Sequence, residues 1–137
     1  MKTKSTERPE LFSGPVAAGF PSPASDYIEG RLDLNEHLVK HPAATFFVRA
    51  SGDSMTGAGI FPGDILIVDR SLKAADSNIV IASIDGEFIV KRLRVSDGRI
   101  SLVPENKRYN PIEIAEGSEL KIWGVVAYVI HNTITRN

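Results

Sequence analysis

The runs 78–85 and 87–95 are dense in Val, Ile and Phe, and they meet at Asp85-Gly86. Two β-prone segments joined by Asp-Gly are a strong tight-hairpin signal, because the favoured two-residue turn needs positive φ at both central positions. Ser96-Asp97-Gly98 marks a second turn, into a run over 99–104. Further strand-like runs lie at 45–51, 64–69 and 120–131. Short strands at regular spacing with tight turns predict a mainly β domain. The expected architecture is a twisted, partly closed antiparallel barrel or sandwich.

Before Thr45 the chain reads differently. Residues 1–26 carry Pro9, Pro15, Pro21 and Pro23 with Gly14 and Gly19, and show no sustained period. Such a segment buries little surface and is expected to be an extended or mobile arm. The division is an arm over 1–26 and a β-rich domain over 27–137. One short helix is expected after Asp33, a suitable N-cap with Glu36 at N3 and Leu34 and Leu38 one turn apart, stopped by Pro42. Tyr27, Ile28 and Leu32 suggest an earlier turn.

Composition narrows the function. A net charge of −1 over 137 residues gives no electrostatic case for binding nucleic acid directly. The absence of cysteine removes disulfides, thiolate metal sites and cysteine nucleophiles, and fits a reducing, cytoplasmic setting. His37, His41 and His131 lack metal-site spacing with carboxylates, so neither metal nor cofactor is expected. No stretch approaches the roughly 20 apolar residues of a membrane span. Lys2, Lys4 and Arg8 before Val16-Ala17-Ala18 have the look of a signal peptide, but Leu11–Pro15 is too short and broken for its apolar core.

Lys91 is the residue that resists an ordinary explanation. Side chains alternate along a strand, so Lys91 shares a face with Ile89, Leu93 and Val95, while Arg92 and Arg94 share the other with Phe88 and Val90. Desolvation disfavours the charged form of a lysine, and a neutral lysine is a base. The bland alternative is an amine that snorkels to water. Ser54 supplies a possible partner. It lies in Ser51-Gly52-Asp53-Ser54-Met55 at a strand end, followed by Gly57, Gly59 and Gly63. A serine in such a bend can sit among backbone N–H groups, as an oxyanion hole requires. A polar loop has the same composition. A hydroxyl becomes a nucleophile when a base takes its proton, and Lys91 or a histidine could do so.

These segments resemble the LexA/UmuD family of self-cleaving serine proteases. The resemblance rests on Ser51–Met55, Gly59-Ile60, Gly63–Asp69 and Asp85–Leu93, with Ala18-Gly19-Phe20-Pro21-Ser22-Pro23-Ala24 similar to the family's cleavage region. It runs from about residue 11 to 130, in the family's order. Within the family the chain looks like the UmuD type, since 18 residues before Ala18-Gly19 are too few for the winged helix-turn-helix of a LexA repressor.

The resemblance implies Ser54 as nucleophile, Lys91 as general base, and the N–H groups of Asp53 and Ser54 as oxyanion donors. It implies self-cleavage between Ala18 and Gly19, stimulated by a RecA–single-stranded DNA filament. It also implies a homodimer that serves a UmuC-type Y-family polymerase in lesion bypass during the SOS response. The competing reading is a non-catalytic β-rich binding module whose arm docks on a partner protein. A membrane signal peptidase with the same dyad lacks an anchor here, and a truncated repressor lacks its DNA-binding domain.

Overall fold

The computed structural model describes residues 8–12 and 28–134. Ala18 and Gly19, and the rest of the expected cleavage region, lie outside the described residues. The chain divides into two compact units, Met1–Leu38 and Val39–Asn137.

In the first unit, β1 (Glu10–Phe12) pairs antiparallel with β2 (Ile28–Arg31). Ile28 and its neighbours therefore form a strand, where the sequence suggested a turn. Glu10 faces Arg31 across the pair, and the Arg31 guanidinium meets the Glu10 carboxylate at 3.3 Å and donates to the Arg8 carbonyl at 2.9 Å. Cross-strand pairing of opposite charges favours this register. The short helix α1 (Leu34–Leu38) follows. Asp33 caps it as expected, its Oδ1 accepting from the N–H groups of Asn35 at 3.0 Å and Glu36 at 3.3 Å.

The second unit is a seven-stranded antiparallel sheet. Its strands are β3 (Thr45–Arg49), β4 (Ile65–Asp69), β5 (Ile79–Ile84), β6 (Glu87–Ser96), β7 (Arg99–Val103), β8 (Ile112–Glu113) and β9 (Leu120–Ile130). They pair in the order β3-β4-β9-β5-β6-β7-β8. The mainly β antiparallel expectation holds. Both anticipated turns form, with Asp85 and Gly86 at φ 49° and 87° and Asp97 and Gly98 at 51° and 76°. The two-residue strand β8 had no counterpart in the sequence reading. Pro42 heads a 3-10 turn, Pro42–Ala44, that leads into β3.

Alternate residues of β5 supply two cores. Ile81 packs with Ala50, Met55, Ile60, Leu66 and Val68, while Val80 and Ala82 pack with Leu93, Leu102 and Val125. Both faces of β5 are thus covered, which explains a run of consecutive apolar residues instead of a clean alternation. Strand β9 joins the halves, pairing with β4 through Val125–Ile130 and with β5 through Leu120–Val125. Gly124 sits where they meet, and a Cβ there would lie 2.6 Å from Val68 Cγ1.

Candidate active site

Ser54 follows a tight bend that leaves β3. Gly52 has φ 77°, a left-handed conformation that costs glycine little. The next residue after the serine, Met55, is buried in the first core, as is Ile60. Their burial pins a loop that would otherwise be mobile. The loop is also fastened to the segment after β7. Glu105 N–H donates to the Ser54 carbonyl at 2.8 Å, and Gly57 N–H donates to the Glu105 carbonyl at 2.7 Å. Gly57 is required by closeness, since a Cβ there would lie 2.5 Å from the Glu105 oxygen.

Lys91 enters from the middle of β6. Its Nζ donates to Ser54 Oγ at 2.8 Å and to the Val90 carbonyl at 3.2 Å. The two residues that the sequence singled out separately are therefore in direct hydrogen-bond contact. They line a cleft of about 360 Å³ with Val48, Ala50, Leu66, Ile81, Phe88, Ile89 and Val90. Burial among these groups holds the Lys91 amine below the ordinary lysine value. The expected face is refined in one respect. Ile89 both lines the cleft and packs against the second core, Leu93 lies within that core away from the cleft, and Val95 is exposed. Phe88 and Val90 of β6 complete the apolar wall together with residues of β3, β4 and β5.

His41 and His131 are committed elsewhere. His41 Nδ1 pairs with Asp69 Oδ2, and His131 Nδ1 with Asp64 Oδ1, each at 2.6 Å. Neither is hydrogen-bonded to Ser54. Burial raises the Asp64 carboxyl, but the Phe61 N–H and His131 outweigh it and hold the group below its ordinary range. The hydroxyl of Ser71, then His41, brings Asp69 down to about 2 against opposing burial.

Among the described residues, no acceptor is bonded to the backbone N–H of Asp53 or of Ser54. The partners of Asp53 were not anticipated. Its carboxylate accepts from the Tyr109 hydroxyl and lies 3.8 Å from Arg108 Nη1. Its carbonyl accepts from Asn106 Nδ2 at 2.8 Å and Thr56 Oγ1 at 3.2 Å. The hydrogen bond to the Asp53 carboxylate raises the Tyr109 hydroxyl above the ordinary tyrosine value. Neither Asn106 nor Tyr109 stands out in the sequence.

A hydroxyl in hydrogen-bond contact with a desolvated amine can act as a nucleophile when the amine takes its proton. The peptidase S24-like family matches residues 10–127. The chain belongs to that family. Membership brings a serine-peptidase kind of activity. Protein SamA of Salmonella typhimurium is 52% identical over 123 residues, spanning 90% of this chain and 85% of SamA. Protein MucA of Escherichia coli is 47% identical over 114 residues, spanning 82% and 77%. The LexA repressor of Magnetococcus marinus is 40% identical over 121 residues, spanning 88% of this chain but 52% of the repressor.

Proposed function

We propose that this S24 peptidase is a UmuD-like SOS-response protein that cuts its own arm between Ala18 and Gly19 by a Ser54–Lys91 dyad. The 2.8 Å contact between Lys91 Nζ and Ser54 Oγ carries the proposal. Neutral Lys91 takes the hydroxyl proton as Ser54 Oγ attacks the Ala18 carbonyl carbon. The tetrahedral oxyanion is met by the N–H groups of Asp53 and Ser54. Its collapse breaks the Ala18–Gly19 bond, and Lys91 returns the proton to the departing Gly19 amine. Water then attacks the Ser54 ester as Lys91 takes its proton, and Lys91 gives that proton to Ser54 Oγ as the ester bond breaks. Small side chains at Val16, Ala17 and Ala18 suit a shallow cleft, and Gly19 permits close backbone approach.

In this reading a RecA–single-stranded DNA filament stimulates the cut in the cytoplasm, and the trimmed homodimer serves a UmuC-type Y-family translesion polymerase. These partners rest on the resemblance to UmuD-type proteins and on relatives such as MucA and SamA. The test is the intact mass of the chain after mildly alkaline incubation and after incubation with a RecA filament. A new N-terminus at Gly19 is expected. An unchanged mass under both conditions removes the self-cleavage reading and favours a non-catalytic binding module.

A further inference from the structure

The peptide linking Asp53 to Ser54 presents its carbonyl to one side and the Ser54 N–H to the other, because a trans peptide holds these groups antiparallel. The carbonyl side is fully engaged. Asn106 Nδ2 donates to it at 2.8 Å, Thr56 Oγ1 at 3.2 Å and the Thr56 N–H at 3.4 Å. The N–H side has no acceptor among the described residues. A peptide plane pinned through its oxygen cannot rotate without losing those bonds, so the direction of the Ser54 N–H is set from behind. Hydrogen bonds to a carbonyl also polarise its amide, which strengthens the N–H as a donor.

Of the two side-chain donors, Asn106 makes the shorter bond and comes from a different part of the chain. It sits in the segment after β7, with its other amide atom occupied. Asn106 Oδ1 accepts from the Arg108 N–H at 3.0 Å, which closes a local turn and fixes the side chain. The segment is held against the serine loop by the Glu105–Ser54 and Gly57–Glu105 backbone bonds. An ion pair of 2.6 Å between Arg92 Nε and Glu105 Oε1 ties the same segment to β6, the strand that carries Lys91. The serine loop and the lysine strand thus share one brace.

From this geometry we infer that Asn106 is a positioning residue for the peptidase: through the Asp53 carbonyl it aims the Ser54 N–H at the oxyanion of the tetrahedral intermediate. The inference rests on the self-cleavage reading above. It is distinct from activation of the nucleophile, which belongs to Lys91.

Asn106→Asp is the diagnostic substitution. An aspartate keeps the shape and the oxygen that accepts from Arg108, but replaces the donor with an oxygen that repels the Asp53 carbonyl. Arm cleavage in the full-length chain is followed by intact mass across pH, for the parent, Asn106→Asp, Asn106→Ala and Thr56→Val, with thermal midpoints in parallel. Loss of one oxyanion donor costs about 100- to 1000-fold in rate; a misaimed donor is expected to cost roughly 10- to 100-fold at the plateau of the pH profile. The pH midpoint of Asn106→Ala should stay at the parent's value while its plateau falls, because the Ser54–Lys91 contact is retained. Thr56→Val should lose less than Asn106→Ala.

Asn106→Asp cleaving at the parental plateau rate overturns the inference. So does a shifted midpoint with an intact plateau, which would assign Asn106 to the dyad's electrostatics. Variants that are unfolded at the assay temperature overturn it as well and make Asn106 purely structural. A parent chain that does not cut itself overturns the peptidase mechanism, and this inference with it.

Discussion

Lys91 Nζ reaches Ser54 Oγ at 2.8 Å across a sequence separation of 37 residues. The contact joins the middle of β6 to the bend after β3, two strands that are not neighbours in the sheet. It therefore depends on the tertiary fold, with the buried Met55 holding the serine loop and the apolar wall holding the amine.

The first prediction is that Ser54→Ala and Lys91→Ala each abolish arm cleavage. Removing the nucleophile leaves no oxygen to acylate. Removing the base leaves a hydroxyl that water must deprotonate, a loss of about 100- to 10,000-fold for general base catalysis. Both variants should fold, because each removes polar atoms from a cleft and leaves the two cores whole. Intact mass after alkaline incubation, beside a circular dichroism spectrum, checks this. A folded Lys91→Ala that cuts at the parental rate would exclude Lys91 as the base.

The pH profile supplies the second. Burial lowers the Lys91 pKa below its ordinary value of 10.5. The reactive form is the neutral amine, so the rate should rise with pH and level off once the amine is deprotonated. Its midpoint should lie below that ordinary value. Opening the wall with Ile89→Ser should hydrate the amine, move the midpoint back toward it and slow cleavage at neutral pH. Initial rates from mildly acidic to alkaline pH are sufficient. A flat profile would mean that no lysine deprotonation limits the reaction.

How much of this could be read from the chain follows from what each residue type announces. The long strands were legible because Val, Ile and Phe runs end in Asp-Gly pairs whose φ preferences leave little choice. Strands β1 and β2 were not, because each is short and β2 contains Gly30, and their pairing depends on segments distant in sequence. Lys91 stood out as a charge on an apolar face. The completion of its wall by Val48, Leu66 and Ile81 did not, since three other strands supply it. Asn106 was silent for a related reason. Its partner is a backbone carbonyl 53 residues away, and a main-chain acceptor leaves no residue-type signal. Ala18-Gly19 was legible as a motif, and it lies outside the described residues.

Gly57→Ala gives the third prediction. The added Cβ would sit 2.5 Å from the Glu105 carbonyl oxygen, a backbone atom that cannot swing aside. The serine loop and the 104–106 segment must separate, and the Gly57–Glu105 hydrogen bond is strained or lost. Overpacking of this kind costs about 1–3 kcal/mol. Cleavage should slow by more than the stability loss explains, because the same displacement moves Ser54 relative to Lys91. Urea unfolding and cleavage rates on the same variant separate the two effects. Unchanged stability and rate would show that the loops part without consequence.

Acid sensitivity is the fourth, and it concerns Asp69 at the end of β4. Asp69 is buried at the end of β4, where its carboxylate accepts from Ser71 Oγ at 2.6 Å and from Ser71 N–H at 2.8 Å and pairs with His41. These partners stabilise the ionised form and bring its pKa from 3.8 to about 2. The sign follows from proton binding. Between those values the unfolded chain binds a proton that the folded chain does not, so acid favours unfolding. The stabilisation is complete above the ordinary aspartate value and is lost as pH falls through the folded one. Ser71→Ala removes the largest favourable contribution, so it should raise the Asp69 pKa and weaken the chain at neutral pH. Asp69→Asn should flatten the acid dependence within that window. Urea midpoints at neutral pH and at about pH 4, 3 and 2, compared between parent and variants, isolate this carboxylate from Asp64, which is also held below its ordinary range. An Asp69→Asn variant with the parent's full acid dependence would assign that dependence to other groups.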